Sequence, residues 1–248
     1  DAIGDQNDLQ NLIFYNSEKF SLESQIIIPT LYRDFNHYKL KLNTTNQETT
    51  PLYLDAIVGH LKASNSVTNR ELRIQMVNDL DNYLNTLPVN THLLLAGDFN
   101  LYTSAEPAFQ KLINTENQIT FIDPANKIGT WHNNTDYIDV FTQSTRTTTG
   151  MGGATGGFDD RFDFILTSES MDNASGTNED LFFVEDSYQV IGNNANVNCF
   201  NQDITSNNCA EDNDPNTEDF SLLFSSSITE DELENYLLNE DMDESELF

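Results

Sequence analysis

Basic residues are scarce in this sequence, which has 11 Lys and Arg against 41 Asp and Glu and a formal net charge of −30. A field of this sign repels polyanions, so it excludes nucleic-acid binding through a broad basic patch. A phosphate-bearing substrate would have to be held by a local cation, either a few Arg and Lys side chains or a bound divalent metal. The alternative is that the charge serves only solubility.

Long apolar runs are also absent, because no stretch approaches the roughly 20 apolar residues of a membrane span. The first eight residues, DAIGDQND, do not have the pattern of a signal peptide. Hydrophobic residues make up 38% of the chain and aromatic residues 10%, which is enough for a packed interior. We therefore expect a globular monomer without a membrane span.

Cysteine is limited to Cys199 and Cys209, which lie close together in the polar segment NCFNQDITSNNC. This spacing could close a small disulfide loop in a secreted protein, whereas a cytosolic protein would keep both thiols reduced. Two cysteines without a neighbouring histidine are poor evidence for a zinc site. We predict that the two are joined and that the protein is extracellular.

Short apolar runs separated by polar turns dominate the first third of the chain and predict antiparallel strands. The predicted strands are Leu12 to Tyr15, Gln25 to Ile28, His37 to Leu42 and Leu52 to His60. Apolar residues then recur at helical spacing from Asn69 to Leu87, until Pro88 ends the pattern. That segment predicts one amphipathic helix.

After this helix comes a continuous apolar run, Leu93 to Ala96, that predicts a buried strand. It is followed by a predicted helix at Ala105 to Leu112, a glycine-rich loop at Gly150 to Gly157, and strands at Arg161 to Leu166 and Leu181 to Ile191. We assign residues 1–209 to one domain. Residues 210–248 form an acidic tail, in which TEDE at 229–232 predicts a helix cap. The tail is either a linker or a solvated end without function.

The segment Gly97-Asp98-Phe99-Asn100 follows the buried strand directly and carries the clearest chemical signal. Residues i and i+2 of an extended segment project to one face, so the Asp98 carboxylate and the Asn100 amide can converge on one water or phosphate. His60, at the end of another predicted strand, could reach the same place. Taken singly, each also has an ordinary structural role, as a turn residue, a helix cap or a hydrogen-bonded histidine.

The order of three segments, IVGHLKAS, LLLAGDFN and DDRFDFILTS, resembles the endonuclease/exonuclease/phosphatase family of metal-dependent phosphodiesterases. The resemblance covers residues 12 to 168. It implies an α/β sandwich in which two mostly antiparallel sheets lie face to face with helices outside. It also implies divalent-metal-dependent phosphodiester hydrolysis, with Mg²⁺ as the expected cofactor and Ca²⁺ or Mn²⁺ as alternatives. We expect a nucleic acid or another phosphodiester as substrate, and an extracellular nuclease as the leading assignment.

The resemblance also implies individual roles. Asp98 orients the attacking water and Asn100 contacts the scissile phosphate, and both are candidate metal ligands; His60 acts as general acid. Asp163 or Asp160 orients a second histidine, and sequence alone does not decide between them; the other would form a salt bridge to Arg161 or a turn. The substrate-binding candidates are Arg33, Arg146 and Asp160, although exposed arginines are equally often plain surface charges.

Two elements of the family pattern are missing from the sequence: the glutamate of a Q-E motif upstream and the histidine of an S-D-H motif downstream. The histidines, His37, His60, His92 and His132, all precede Asp163. His92 and His132 are most simply surface or packing residues. We expect either a piece of a longer protein or a relative that has lost hydrolysis and serves as a non-catalytic binding or adhesion domain.

Overall fold

The computed structural model describes residues 11–44, 49–143, 147, 156–172, 181–191, 193 and 195–202. Within these ranges the strands are β1 (Phe20–Ile28), β2 (Phe35–Leu42), β3 (Tyr53–Val58), β4 (Leu93–Asp98), β5 (Phe121–Ile122) and β6 (Asp163–Ser168). The helices are α1 (Val67–Leu84) and α2 (Pro107–Leu112), with 3₁₀ turns at Thr135–Val140, Glu169–Met171 and Val197–Cys199. None of the helices in these ranges is long and apolar enough to cross a membrane.

The strands form one mixed sheet in the order β1-β2-β3-β4-β6-β5. Neighbouring strands are antiparallel except β3 and β4, which are parallel and are joined through α1. A parallel pair needs such a crossover, because a tight turn can join only antiparallel strands. The prediction of an α/β fold is confirmed. The expected pair of facing sheets is wrong for the described residues, which form a single sheet.

Two predicted strands are also wrong. Residues 12–15 have no regular structure, and Phe14 is 93% exposed, because no neighbouring strand pairs with this segment. Residues 181–191 likewise form no strand, and Phe183 N–H donates to the carbonyl of Met171, which belongs to a 3₁₀ turn rather than a strand. In both cases apolar composition suggested a strand for which the fold provides no partner. The acidic tail at 210–248 lies outside the described residues.

The core lies where the helices meet the buried face of the sheet. Alternation along β4 buries Leu93 and Leu95 while Leu94 and Ala96 remain half-buried, as a period of two requires. The main packing partners on the strands and helices are Ile57, Phe164, Leu166, Met76, Leu80, Leu84 and Phe109. The Ser66 side chain accepts from the Asn69 N–H at 3.2 Å and caps α1. A 2.7 Å ion pair between Lys111 and Asp81 joins α2 to α1.

The ends of β3 and β4 lie side by side because the backbones remain paired beyond the strands. Gly59 N–H donates to Ala96 O at 3.0 Å, and Leu61 N–H donates to Asp98 O at 2.9 Å. Gly97 has a φ of 141°, and a Cβ at this position would overlap the Gly59 carbonyl. Glycine is therefore required for this close approach. The pairing brings the residues that follow both strands to one edge of the sheet.

Cys199 is buried at the end of the last 3₁₀ turn, at 2% exposure. Cys209 lies outside the described residues, so the disulfide stays a prediction. If the two are joined, free-thiol titration of the denatured, unreduced protein should give essentially no signal. After reduction the same assay should report two thiols per chain. Two reactive thiols before reduction would contradict both the disulfide and the argument for export.

Candidate functional site

The predicted His60 and Asp98 meet at the edge of the sheet where β3 and β4 end. His60 Nε2 lies 3.4 Å from Asp98 Oδ2, and both side chains are about one third exposed, at 29% and 34%. Burial, followed by the charges of Arg33 and Lys62, lowers the pKa of His60 to about 4. His60 is therefore neutral at pH 7 in the free chain, and its contact with Asp98 is not an ion pair at that pH.

The environment of Asp98 disfavours the charged form of its carboxyl group. Burial raises its pKa to about 7, and the neighbouring Asp163 carboxylate adds to this, while hydrogen bonds from Asn100 and the charge of Arg33 oppose it. Asp98 and Asp163 are directly opposite each other in the antiparallel pairing of β4 with β6. Partial burial raises the pKa of Asp163 as well, and a hydrogen bond with Thr142 opposes the shift. The edge therefore presents two carboxylates that a cation would stabilise.

Asn100 lies at the same edge but is held by the backbone. Its φ is 51°, its N–H donates to Asp98 Oδ1 at 3.0 Å, and its Nδ2 donates to Leu61 O at 3.2 Å. The residue is buried at 6% exposure. Asn100 thus ties the segment after β3 to the segment after β4. Its predicted contact with phosphate or metal stays a prediction beside this structural role.

Asp160 and Asp163 have different surroundings. The sequence alone did not decide which of them orients a second histidine. Asp163 lies opposite Asp98, as described above. Asp160 instead accepts from His132 Nδ1 at 3.0 and 3.1 Å. Burial raises the pKa of Asp160 to about 6, although its bond to His132 opposes the shift. The salt bridge from Arg161 goes to Asp123, with bonds of 2.8 and 2.7 Å, so an Asp160–Arg161 pair is wrong.

Arg33, a predicted phosphate contact, borders His60. Its Nη1 donates to Leu61 O at 2.9 Å, and its buried Nε has no hydrogen-bond partner. The Arg33 guanidinium and the Lys62 ammonium both lie over the Tyr32 ring, at 5.3 and 5.5 Å from its centroid. Arg146, the other predicted phosphate contact, lies outside the described residues.

Sequence reasoning missed two features near this edge. His132, interpreted as a surface or packing residue, pairs with Asp160 and contacts the Tyr102 ring with 5.3 Å between centroids. Its ligating atoms also lie close to Asp159, so these three residues form a candidate metal cluster. The second feature is a buried Arg73–Glu106 ion pair at 2.7 Å. Neither pair has a local sequence signal, because its members are far apart in the chain.

No family model and no curated protein matches the sequence. Solved structures do match. The human Nocturnin catalytic domain with bound sulfate is 15% identical, with 62% of this chain and 50% of that chain covered and a TM-score of 0.39. An endonuclease/exonuclease/phosphatase from Bacteroides vulgatus is 15% identical, with 62% and 57% covered and a TM-score of 0.41.

The chain is similar to solved endonuclease/exonuclease/phosphatase structures. Truncated TDP2 from Caenorhabditis elegans is a further match, 17% identical over 61% of this chain and 54% of that chain, with a TM-score of 0.36. The chain spans about half the length of the structures it matches.

Proposed function

We propose that this endonuclease/exonuclease/phosphatase-like chain carries the reaction centre of a divalent-metal-dependent phosphodiesterase, and that the enzyme is an extracellular nuclease. The observation that carries the proposal is the contact of His60 with Asp98 at 3.4 Å on the edge where β3 and β4 end. Hydrolysis of a phosphodiester needs an oriented water, a donor for the charged oxygens and a proton source for the leaving alkoxide. A carboxylate, a histidine and nearby cations supply these groups.

The donor set at this edge fits a hard cation. Asp98 and Asn100 offer carboxylate and amide oxygens, and Asp163 lies opposite Asp98. Mg²⁺ prefers such oxygens, and it is commonly bound by one or two carboxylates together with waters and substrate phosphates. Burial and then the Asp163 carboxylate raise the pKa of Asp98, and a bound cation would favour its charged form. When bound, Mg²⁺, Ca²⁺ or Mn²⁺ would polarise the water and the phosphoryl oxygens.

Substrate binding is assigned to Arg33 and Lys62. In the described part of the chain most other cations face carboxylates or lie away from this edge, with ion pairs at Arg73, Lys111, Lys127 and Arg161. Arg33 and Lys62 have no carboxylate partner there, and both lower the pKa of His60. They therefore place positive charge at the one edge where an anion is needed. This local charge offsets the repulsion from a protein of net charge −30.

His60 is assigned the proton transfer at Nε2. Its pKa of about 4 in the free chain keeps it unprotonated at pH 7. A phosphate anion held beside Arg33 and Lys62 would favour the protonated imidazole, since an opposite charge within about 4–6 Å raises a histidine pKa. His60 would then become able to donate to the leaving oxygen only when substrate is bound. Asp98, directly beside it, orients the water.

The proposal is tested on the protein expressed as its gene encodes it, with DNA, RNA and bis(p-nitrophenyl) phosphate as substrates. We expect Mg²⁺-dependent cleavage that a chelator abolishes and that His60→Ala reduces by about 10²–10⁴-fold, because general acid–base catalysis contributes about that much. His92→Ala is the matched control, since His92 precedes β4 at the opposite end of that strand. Its cleavage rate should equal that of the unmodified protein.

Salt dependence distinguishes a polymeric substrate from a small one. Cleavage of DNA or RNA should rise as salt approaches about 0.15 M, because screening beyond a Debye length of about 8 Å weakens the repulsion between protein and polyanion. Cleavage of the small diester should change little. The competing function is a non-catalytic binding domain, favoured by the Asn100 amide being held by Leu61 O. Absence of chelator-sensitive cleavage of all three substrates would contradict catalysis and support that alternative.

A further inference from the structure

A second group of candidate metal ligands lies in the two loops that meet just before β6. The ligating atoms of His132, Asp159 and Asp160 all lie within 4.8 Å of one another. His132 Nδ1 is 3.0 Å from Asp160 Oδ2. Two atoms bound at about 2.1 Å to the same ion and at right angles to each other are about 3 Å apart. The His132–Asp160 spacing is compatible with two atoms that share one ion, and side-chain shifts would bring the third ligand into range.

The two carboxylates of this group are buried and adjacent. Asp159 is 8% exposed and Asp160 is 2% exposed. Asp159 accepts from Asn201 Nδ2 at 3.0 Å, and Asp160 accepts from His132. Within the described ranges no Lys or Arg pairs with either carboxylate. The neighbouring Arg161 forms its salt bridge with Asp123 instead. Buried carboxylates without a cation are unfavourable, so a bound cation would stabilise this region.

Two residues in contact with this group each have a side-chain oxygen without a donor. The side-chain oxygens of Asn201 and Gln143 are buried and accept no hydrogen bond. Asn201 contacts Asp159 through its Nδ2, and the Gln143 N–H donates to Asp160 O at 3.2 Å. Side-chain amide oxygens are regular ligands of divalent cations.

We propose that His132, Asp159 and Asp160 bind one divalent transition-metal ion at a site separate from Asp98 and Asn100. One imidazole with two carboxylates suits Zn²⁺, Mn²⁺ or Co²⁺ better than Mg²⁺, which prefers oxygen ligands alone. The ion would connect the loop that contains His132 to the loop that leads into β6. His132 N–H donates to Tyr102 O at 3.2 Å, so the ion would also fix the segment that follows Asn100.

The test is direct binding of Zn²⁺ and Co²⁺ to the purified chain, by isothermal titration and by Co²⁺ absorption, in about 0.15 M salt to screen exposed carboxylates. We expect one tight site that depends on His132, in addition to any weaker binding at Asp98 and Asn100. His132→Ala and Asp159→Asn should each weaken it by at least about tenfold, whereas His92→Ala and Asp98→Asn should leave its affinity unchanged. Zn²⁺ at about a hundred times its Kd should raise the melting temperature by about 5–10 °C, but not in His132→Ala.

Because the His132 side chain is 47% exposed, His132→Ala should fold even if a change at the buried carboxylates does not. Equal affinity in His132→Ala and the unmodified chain would overturn the proposal, as would loss of the tight site in Asp98→Asn alone. Failure of the unmodified chain to bind either ion above the level of exposed carboxylates would overturn it too. None of these outcomes depends on cleavage, so the experiment tests the cation site independently of the proposed hydrolase activity.

Discussion

Asp98→Asn is expected to abolish metal-dependent cleavage almost completely and, in the metal-free protein at pH 8, to raise the melting temperature. The catalytic loss follows because an amide cannot replace the charge that orients water and holds a cation. The gain in stability follows because Asp98 is a partly buried carboxyl beside the Asp163 carboxylate. A change that removes function and adds stability is characteristic of a residue held in an unfavourable environment for its chemistry.

The stability gain of Asp98→Asn should increase as the pH rises. The pKa of Asp98 is raised from 3.8 to about 7 in the folded chain, so the folded state binds a proton more tightly than the unfolded state. Stability is therefore lost as the pH rises from about 4 to above 7. The Asp98→Asn variant has no ionisable group at this position and escapes the loss. Because 34% of the Asp98 side chain is exposed, water screens the effect, and we expect about 1 kcal/mol, or about 2–4 °C, at pH 8.

Urea unfolding with chelator at pH 4.5 and pH 8 measures this difference. The advantage of Asp98→Asn over the unmodified protein should grow between the two pH values. Asp139→Asn is the control for removing one negative charge, because Asp139 is 45% exposed in its pair with Lys127. It should show the pH dependence of the unmodified protein. An advantage of Asp98→Asn that does not change with pH would show that Asp98 does not hold its proton in the folded chain.

The placement of His60 beside Asp98 could be predicted because it depends on strand ends. Each segment has an apolar run followed by a glycine and polar residues, and this pattern locates the end of a buried strand without knowledge of its neighbours. A helix between two such strands makes them parallel, so both ends reach the same edge. The sequence therefore predicts both the residue types at this contact and their proximity.

The pairing of Asp160 with His132 could not be predicted in this way. The two residues are 28 positions apart and both lie in loops, where neither periodicity nor strand order places a side chain. The erroneous strand at residues 181–191 has a related cause. Its apolar residues satisfy the pattern of a strand, but strand formation also needs a free partner edge, and that depends on the whole sheet.

Glu106→Ala is expected to destabilise the protein by about 3–5 kcal/mol, because it leaves the Arg73 guanidinium buried without its counter-charge. The two side chains are 0% and 1% exposed. Arg73 donates through Nε and Nη2 to Glu106 Oε2 at 3.0 and 2.7 Å. Chemical denaturation should report the loss, which corresponds to a fall in melting temperature of about 10 °C or more. Asp139→Ala breaks an exposed ion pair of the same 2.7 Å length and should cost less than about 1 kcal/mol.

The Arg73–Glu106 pair also holds the two segments that carry the candidate site. Arg73 Nη1 donates to the carbonyls of Lys62 and Ser64 at 2.7 and 2.9 Å, and Glu106 Oε1 accepts from the Tyr102 N–H at 3.0 Å. An Arg73→Met, Glu106→Leu double variant removes both charges, so it should recover much of the stability that either single change loses. Cleavage should stay reduced, since the backbone groups beside His60 and Asn100 still lack their partners. Recovery of both stability and cleavage would show that the pair stabilises the core without positioning the site.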